Sequence, residues 1–225
     1  EPVMQISCRD RNKIALQSDI LGANALGIKN ILCITGDSVK AGDQQDAKAV
    51  HEFESVRLLK QIQAFNKGID PFLGELSDKK TFIFSGAAAD PSCRNQKSLI
   101  KRITKKKEAG AQFIQTQMIM ERDYLIEFCE NISKPLEIPV IAGVFLLKSY
   151  KNALFINKYV PGANIPEYII NRLKDAKEPL EEGIKIAAEQ AQDFMTIAEG
   201  IHLMAVKSEH LIPEILEKAN LNLEH

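Results

Sequence analysis

The sequence predicts an α/β protein assembled from repeated strand–helix units around a parallel sheet. Three observations carry this reading: short runs that are apolar nearly throughout, longer amphipathic segments after each of them, and small or charged residues where strand gives way to helix. Strands without polar alternation need cover on both faces, and a helix following each strand supplies it.

Val3-Met4-Gln5-Ile6-Ser7-Cys8 opens the series as a strand. Lys13 to Leu26 follows with Ile14, Leu16, Ile20, Leu21 and Ala25 at helical spacing, closed by Gly27. Ile31 to Ile34 is the next strand, and a helix is expected from about Lys48 to Phe65. The cycle repeats in Thr81 to Phe84 with Gln96 to Glu108, Phe113 to Thr116 with Tyr124 to Asn131, and Val140 to Ala142 with Lys148 to Asn157. Pro161, Gly162 and Pro166 then interrupt the rhythm before two helical stretches, Glu167 to Ala176 and Glu182 to Ala198. Ile201 to Ala205 is the last strand and Ser208 to Ala219 the last helix.

Six consecutive units fit a (β/α)8 barrel of the TIM type lacking its first two strands, with a doubly wound open sheet as the alternative. A strand begins almost at Glu1, which is not an initiator methionine, so an upstream portion is expected. Residues 1–222 are assigned to the barrel. Leu223-Glu224-His225 reads as the start of an expression tag, and His225 is left out of all chemistry.

The chain has 225 residues, 45% of them hydrophobic and 26% charged, enough for one substantial core. Its 29 basic and 30 acidic residues nearly cancel, so composition gives no support to a nucleic-acid or anionic-membrane surface. No apolar run reaches the roughly 18–20 residues of a bilayer span, and a cytoplasmic location is expected. Cys8, Cys33, Cys93 and Cys129 are at least 25 positions apart, without metal-site spacing or disulfide density. Buried thiols are the expectation.

In either topology the functional groups belong at the C-terminal ends of the strands. Those positions hold Ser7-Cys8-Arg9-Asp10, Thr35-Gly36-Asp37, Ser85 to Asp90, Thr116-Gln117, Gly143 and Lys207-Ser208, the layout of a ligand-binding rim. Asp37 and Asp90 are the two clearly acidic groups there, a poor supply for a metal site. Asp37 can also be read as a helix cap, and His51 as a surface residue early on a helix. The stretch Ser85-Gly86-Ala87-Ala88-Ala89 lets a flat or phosphorylated ligand approach the backbone, or simply lets a helix pack closely. Lys105-Lys106-Lys107 reads as a solvated helix end, from which one ammonium can reach a phosphate. Phosphate-loop, dinucleotide-loop, zinc-protease and nucleophile-elbow motifs do not occur at a usable place.

Longer strings say more. Ser7-Cys8-Arg9-Asp10-Arg11-Asn12, Leu16 to Ala23, Thr35-Gly36-Asp37, Gly42-Asp43 and Ala47 to Val50 closely resemble the methylenetetrahydrofolate reductases. The resemblance continues through Ala109 to Phe113, Thr116-Gln117, Pro139 to Gly143, Val160-Pro161-Gly162 and Gly200-Ile201-His202, nearly the whole chain. The first block looks like the version found fused to homocysteine methyltransferase domains in some bacteria.

The resemblance implies a (β/α)8 barrel that holds FAD noncovalently and passes hydride from NADH or NADPH to methylenetetrahydrofolate. It implies that Asp37 stabilises the cationic iminium, that Gln117 hydrogen-bonds the folate, that Tyr150 stacks on folate or nicotinamide, and that Lys207 reaches the folate tail. For the flavin it implies Gln5, Thr35, Gly36 and Asp37 near the ring and ribityl chain, His51 at the adenine end, and Ala89, Asp90 and Lys106 around the ribose and pyrophosphate. The family's proton donor ends its first strand, upstream of what resembles the third strand here, so no general acid is named. Electrons from a partner protein and a homo-oligomer remain open. The alternatives are a folate-binding barrel acting in methyl transfer and a non-catalytic subunit that binds folate or a redox partner.

Overall fold

A computed structural model describes residues 1–76, 80–160 and 162–221. The terminal Leu223 to His225 and the Pro161 of the expected break lie outside the described residues. Strands β1 (Val3–Ser7), β2 (Asn30–Ile34), β5 (Phe84–Ala89), β6 (Phe113–Met118), β7 (Val140–Phe145) and β8 (Gly200–Met204) form one sheet in chain order. The predicted α/β class and its run of six units are therefore correct. A small antiparallel pair, β3 (Ile69–Asp70) and β4 (Gly74–Glu75), was not foreseen, being too short for a periodic signal.

The chain divides into two compact units, Glu1–Ala88 with Lys101–Ile114, and Ala89–Ile100 with the residues from Gln115 onward. In the first, β1 and β2 run parallel with Gln5 opposite Leu32, and β2 and β5 run parallel with Leu32 opposite Gly86. Helix α1 (Lys13–Ala25) is capped by Asn12, whose side chain accepts from the Ala15 amide, and buries Leu16, Ile20 and Ala23. Helix α2 (Ser55–Asn66) buries Leu58, Leu59, Ile62 and Phe65. Each such side chain contributes about 2 kcal/mol on leaving water.

Helix α2 starts seven residues later than expected. Val50 and His51 both donate their amides to the Arg9 carbonyl, at 2.7 and 3.4 Å, and the Glu52 carboxylate accepts from the Lys13 amide. These bonds satisfy the backbone without a helix and hold His51 at a φ of +44°. His51 is thus a loop residue rather than a helical one.

The third strand also shifts. Asn66 accepts from the Ile83 amide and the Thr81 hydroxyl and donates to the Ile83 carbonyl, so Thr81 to Ile83 is tied to the end of α2. Strand β5 is then the small-residue run itself, not the apolar residues before it. The reason for those small residues is visible at Gly86, where a Cβ would collide with the Phe113 ring. Phe113 stacks on Phe84 with centroids 5.5 Å apart, filling the space that Gly86 leaves.

In the second unit β7 and β8 run parallel, Gly143 opposite His202. Strands β6 and β7 extend further than expected, so Gln117 and Gly143 lie within strands instead of beyond them. Helix α3 (Gln96–Glu108) has the predicted bounds and spans the boundary between the units. Helix α4 (Arg122–Phe128) runs through a π-helical turn, Cys129–Ser133, into α5 (Lys134–Leu136). Next come α6 (Tyr150–Tyr159), α7 (Glu167–Asp175), α8 (Pro179–Phe194) and, after a short 3-10 turn, α9 (Ile212–Lys218). Leu147, Ala153, Ile156, Ile169, Leu173 and Ile186 gather the helical insertion into one core. Helix α8 starts three residues before its expected bound because Pro179 takes the first turn, where its missing N–H costs nothing.

Cys8, Cys33 and Cys129 are buried, as expected, whereas Cys93 is only partly buried. Burial, followed by the charge of Glu54, pushes the Cys8 thiol up to about 11. Replacing Gly86 with Val should cost about 1–3 kcal/mol through overpacking against Phe113. Urea denaturation monitored by circular dichroism would detect this as a lowered midpoint.

Candidate functional site

In the first unit the ends of β1 and β2 meet at Gly36, whose φ is +92° and whose Cβ would collide with the Ser7 hydroxyl and Arg9. Glycine is therefore required for the chain to turn beside the β1 end. Asp37 follows directly, exposed, with no hydrogen bond or ion pair among the described residues. Arg9 is held by Asp10 through two bonds of 2.6 and 2.8 Å. That pairing first, then the charges of Asp10, Asp37 and Asp43, raises the guanidinium above its ordinary value. A cavity of about 340 Å³ opens on the same loops, lined by Arg9, Asp43, Gln44 and Lys48 among others.

Thr35 has a structural duty: its hydroxyl oxygen accepts from the Ser55 amide at 3.2 Å and so anchors the start of α2. Gln5 is exposed on β1, one residue before the buried Ile6. Lys106 leaves the solvated face of α3 and donates to the Ala88 carbonyl at 2.6 Å. It makes no ion pair among the described residues. Burial first, then the neighbouring Arg102, lowers its ionisation below the usual lysine range. Lys106 is thus a desolvated cation paired only with a carbonyl.

In the second unit Ala89 is buried at the end of β5, and Asp90 closes a local turn by accepting from the Ser92 amide at 3.0 Å and hydroxyl at 2.6 Å. One Asp90 oxygen is consumed there. Gln117 accepts from its neighbour's amide, Met118, at 3.0 Å, which fixes the side chain and leaves its NH2 as a donor. Thr116 accepts from the Gly143 amide at 2.8 Å. Tyr150 opens α6 and packs against the insertion core, so the plain packing reading accounts for part of its surface. Lys207 sits exposed at a φ of +59°, its amide bound to Glu209. The ammonium fixed at the end of β8 is instead Lys148, which donates to the Val206 carbonyl at 2.8 Å. The sequence reading gave Lys148 no role because it counted the residue as the start of a helix, whereas Lys148 lies in the loop between β7 and α6.

Of the predicted rim residues, Ser7, Thr35 and Asp90 lie at or just past strand ends, while Gln117 and Gly143 lie within β6 and β7. The profile of the methylenetetrahydrofolate reductases matches residues 1–220. The chain belongs to the methylenetetrahydrofolate reductase family. Methylenetetrahydrofolate reductase 2 of Schizosaccharomyces pombe is 28% identical over 97% of this chain and 35% of its own length. A probable methylenetetrahydrofolate reductase (NADPH) of Caenorhabditis elegans is 22% identical over 98% of this chain and 32% of its own. The chain therefore spans about a third of the length of these relatives. Among solved structures, a Clostridium thermocellum protein that binds two copies of 5-methyl-5,6,7,8-tetrahydrofolic acid shares the fold. Its TM-score is 0.51 at 14% identity, covering 97% of this chain and 94% of that one. Among the described residues no helix is long and apolar enough to cross a membrane.

Because Lys106 is charged where water is scarce and makes no ion pair among the described residues, the charge of Glu54 offsetting burial only in part, the unliganded fold bears a cost. Lys106→Met should raise the urea midpoint of the ligand-free protein at neutral pH. The sign follows from linkage: with the folded ionisation lowered, the unfolded chain binds more protons, so wild-type stability rises with pH as Lys106 loses its proton. The gap between variant and wild type should therefore narrow in alkali.

Proposed function

We propose that the chain performs the flavin-dependent reduction of 5,10-methylenetetrahydrofolate to 5-methyltetrahydrofolate, with NADH, NADPH or a partner protein as electron source. The observation that carries this reading is the family match across residues 1–220, joined to two charges without an ion pair among the described residues, Asp37 just after β2 and Lys106, which reaches from α3 to the Ala88 carbonyl.

The residues present suit FAD. Lys106 makes no ion pair among the described residues and suits a pyrophosphate, an arrangement in which a charge-assisted hydrogen bond is strongest. Gly36 brings bare backbone to the end of the strands, where Thr35, Gly36 and Asp37 would border the ring and ribityl chain. Gln5 offers an exposed amide on β1, and His51 an exposed imidazole toward the adenine. Ala89 leaves room for the ribose, with the second oxygen of Asp90 as an acceptor. FAD, when bound, supplies the hydride.

On the substrate side, Asp37 would face the iminium, whose positive charge an unpaired carboxylate stabilises without reorganisation. The fixed NH2 of Gln117 would donate to the folate ring. Tyr150 would stack on folate or nicotinamide with the face not used in packing, and Lys207, exposed and flexible, would meet the glutamate tail. The chain acts in solution in the cytoplasm on this reading, with no call on nucleic acid, membrane or metal.

Asp37→Asn should slow methylenetetrahydrofolate reduction by about 10²–10³-fold, the range for losing one preorganised electrostatic contact. Flavin reduction by the nicotinamide donor should change far less, and stopped-flow absorbance follows the two half-reactions separately. Equal slowing of both would reject the role of Asp37. Lys106→Met should weaken FAD binding about tenfold or more, measured by titration of the visible flavin spectrum. A wild-type protein that takes up no FAD would sink the cofactor assignment.

A further inference from the structure

The turn after β8 holds a lysine in a backbone conformation that its side chain disfavours. Lys207 has a φ of +59°, in the left-handed region, where a Cβ crowds the following carbonyl and where glycine or asparagine serves a turn at less cost. Such backbone persists only where its surroundings fix it, and it gathers at sites where geometry matters for binding. Lys207 is exposed, so packing of its own side chain does not hold it. The contacts that do hold it come from both sides of the turn.

On one side stands Lys148, half-buried in the loop between β7 and α6. Its ammonium donates to the Val206 carbonyl at 2.8 Å and to the Ser208 hydroxyl at 3.5 Å, so it grips the two residues that flank Lys207. It makes no ion pair among the described residues, and its hydrogen bonds go to the turn. The base of Lys148 is itself firm. Leu146 donates its amide to the Met204 carbonyl of β8, and the Lys148 amide donates to the Asn152 side chain of α6. Gly183 brings α8 against the same loop, since a Cβ there would collide with the Leu147 carbonyl. On the other side the Glu209 carboxylate accepts from the Lys207 amide at 2.9 Å. Its own amide first, then that of Lys207, holds this carboxylate below its ordinary range, and the Lys148 charge adds to the effect. The Ser208 amide closes the turn on the Ala205 carbonyl at 2.7 Å.

We infer that Lys148 and Glu209 are positioning residues for Lys207: they fix the backbone of the turn after β8 so that the Lys207 ammonium meets the carboxylates of the substrate's glutamate tail. This rests on the functional reading above and deepens it, by naming what gives the site its preference for an anionic tail. A lysine on an unconstrained turn loses backbone as well as side-chain freedom when it binds a carboxylate. On a turn tied at Val206, Lys207 and Ser208 the backbone part is already spent in folding. Neither positioning residue needs to touch the substrate.

The test uses the full chain and two probes in calorimetry: 5-methyltetrahydrofolate, and its diamide, in which both tail carboxylates are neutral carboxamides. The wild type should prefer the acid about tenfold, as expected for one charge-assisted hydrogen bond. Lys207→Met should bring the two affinities together. Lys148→Met should remove most of the preference and Lys148→Arg, which keeps the charge and the donors, should restore it. In a Lys207→Met background Lys148→Met should change the preference no further, whereas a direct charge effect of Lys148 would still show. Glu209→Ala separates the two explanations by sign. It removes a negative charge, so plain Coulomb attraction would raise the preference for the acid, while loss of positioning lowers it. A raised preference in Glu209→Ala, or an unaltered one in Lys148→Met, overturns this inference alone. A preference that survives Lys207→Met overturns it together with the role of Lys207. Absence of wild-type binding to 5-methyltetrahydrofolate overturns the functional reading as a whole.

Discussion

Crowding between neighbouring strands governs this structure. Where β6 runs against β7, two backbone carbonyls occupy the place of a side chain, and only glycine satisfies position 143. At position 86 an aromatic ring from Phe113 takes the space instead. Both places are filled by the protein, one by a side-chain ring and the other by backbone. Filling both leaves a close-packed, rigid contact between neighbouring strands.

The alternation of apolar runs with amphipathic segments made the βα order legible, because burial on both faces leaves few ways to write such a strand. The bounds of α3 and the start of α1 could be read from spacing and from the Asn12 cap. What could not be read depends on contacts distant in sequence. The Arg9 carbonyl delays the start of α2, and the Asn66 side chain moves the strand from Thr81 to Phe84. No local pattern marks either event. The length of β6 and β7 was hidden because Gln117 and Gly143 look like loop residues.

For the candidate site, sequence located the ionisable groups and structure distinguished those with partners from those without. Thr35 and Asp90 spend hydrogen-bonding capacity on local architecture and Lys106 donates to the Ala88 carbonyl, whereas Asp37 has no hydrogen bond or ion pair among the described residues. Lys106 and Asp37 were named from their places in motifs. Lys148 shows the reverse: the cation at the end of β8 comes from another element.

The segment between Gly36 and Ser55 has little regular structure beyond a 3-10 turn at Val39–Ala41. Its fastening to Arg9 at Val50 and His51 cuts this excursion into a free arc and a short taut span. Loop-closure entropy grows only slowly with length, so the arc from Val39 to Ala47 tolerates insertions at small cost. The span from Val50 to Ser55 does not, because extra residues would slacken the tie and let the start of α2 drift. Length variation over evolution is thereby channelled to one side of a single carbonyl oxygen.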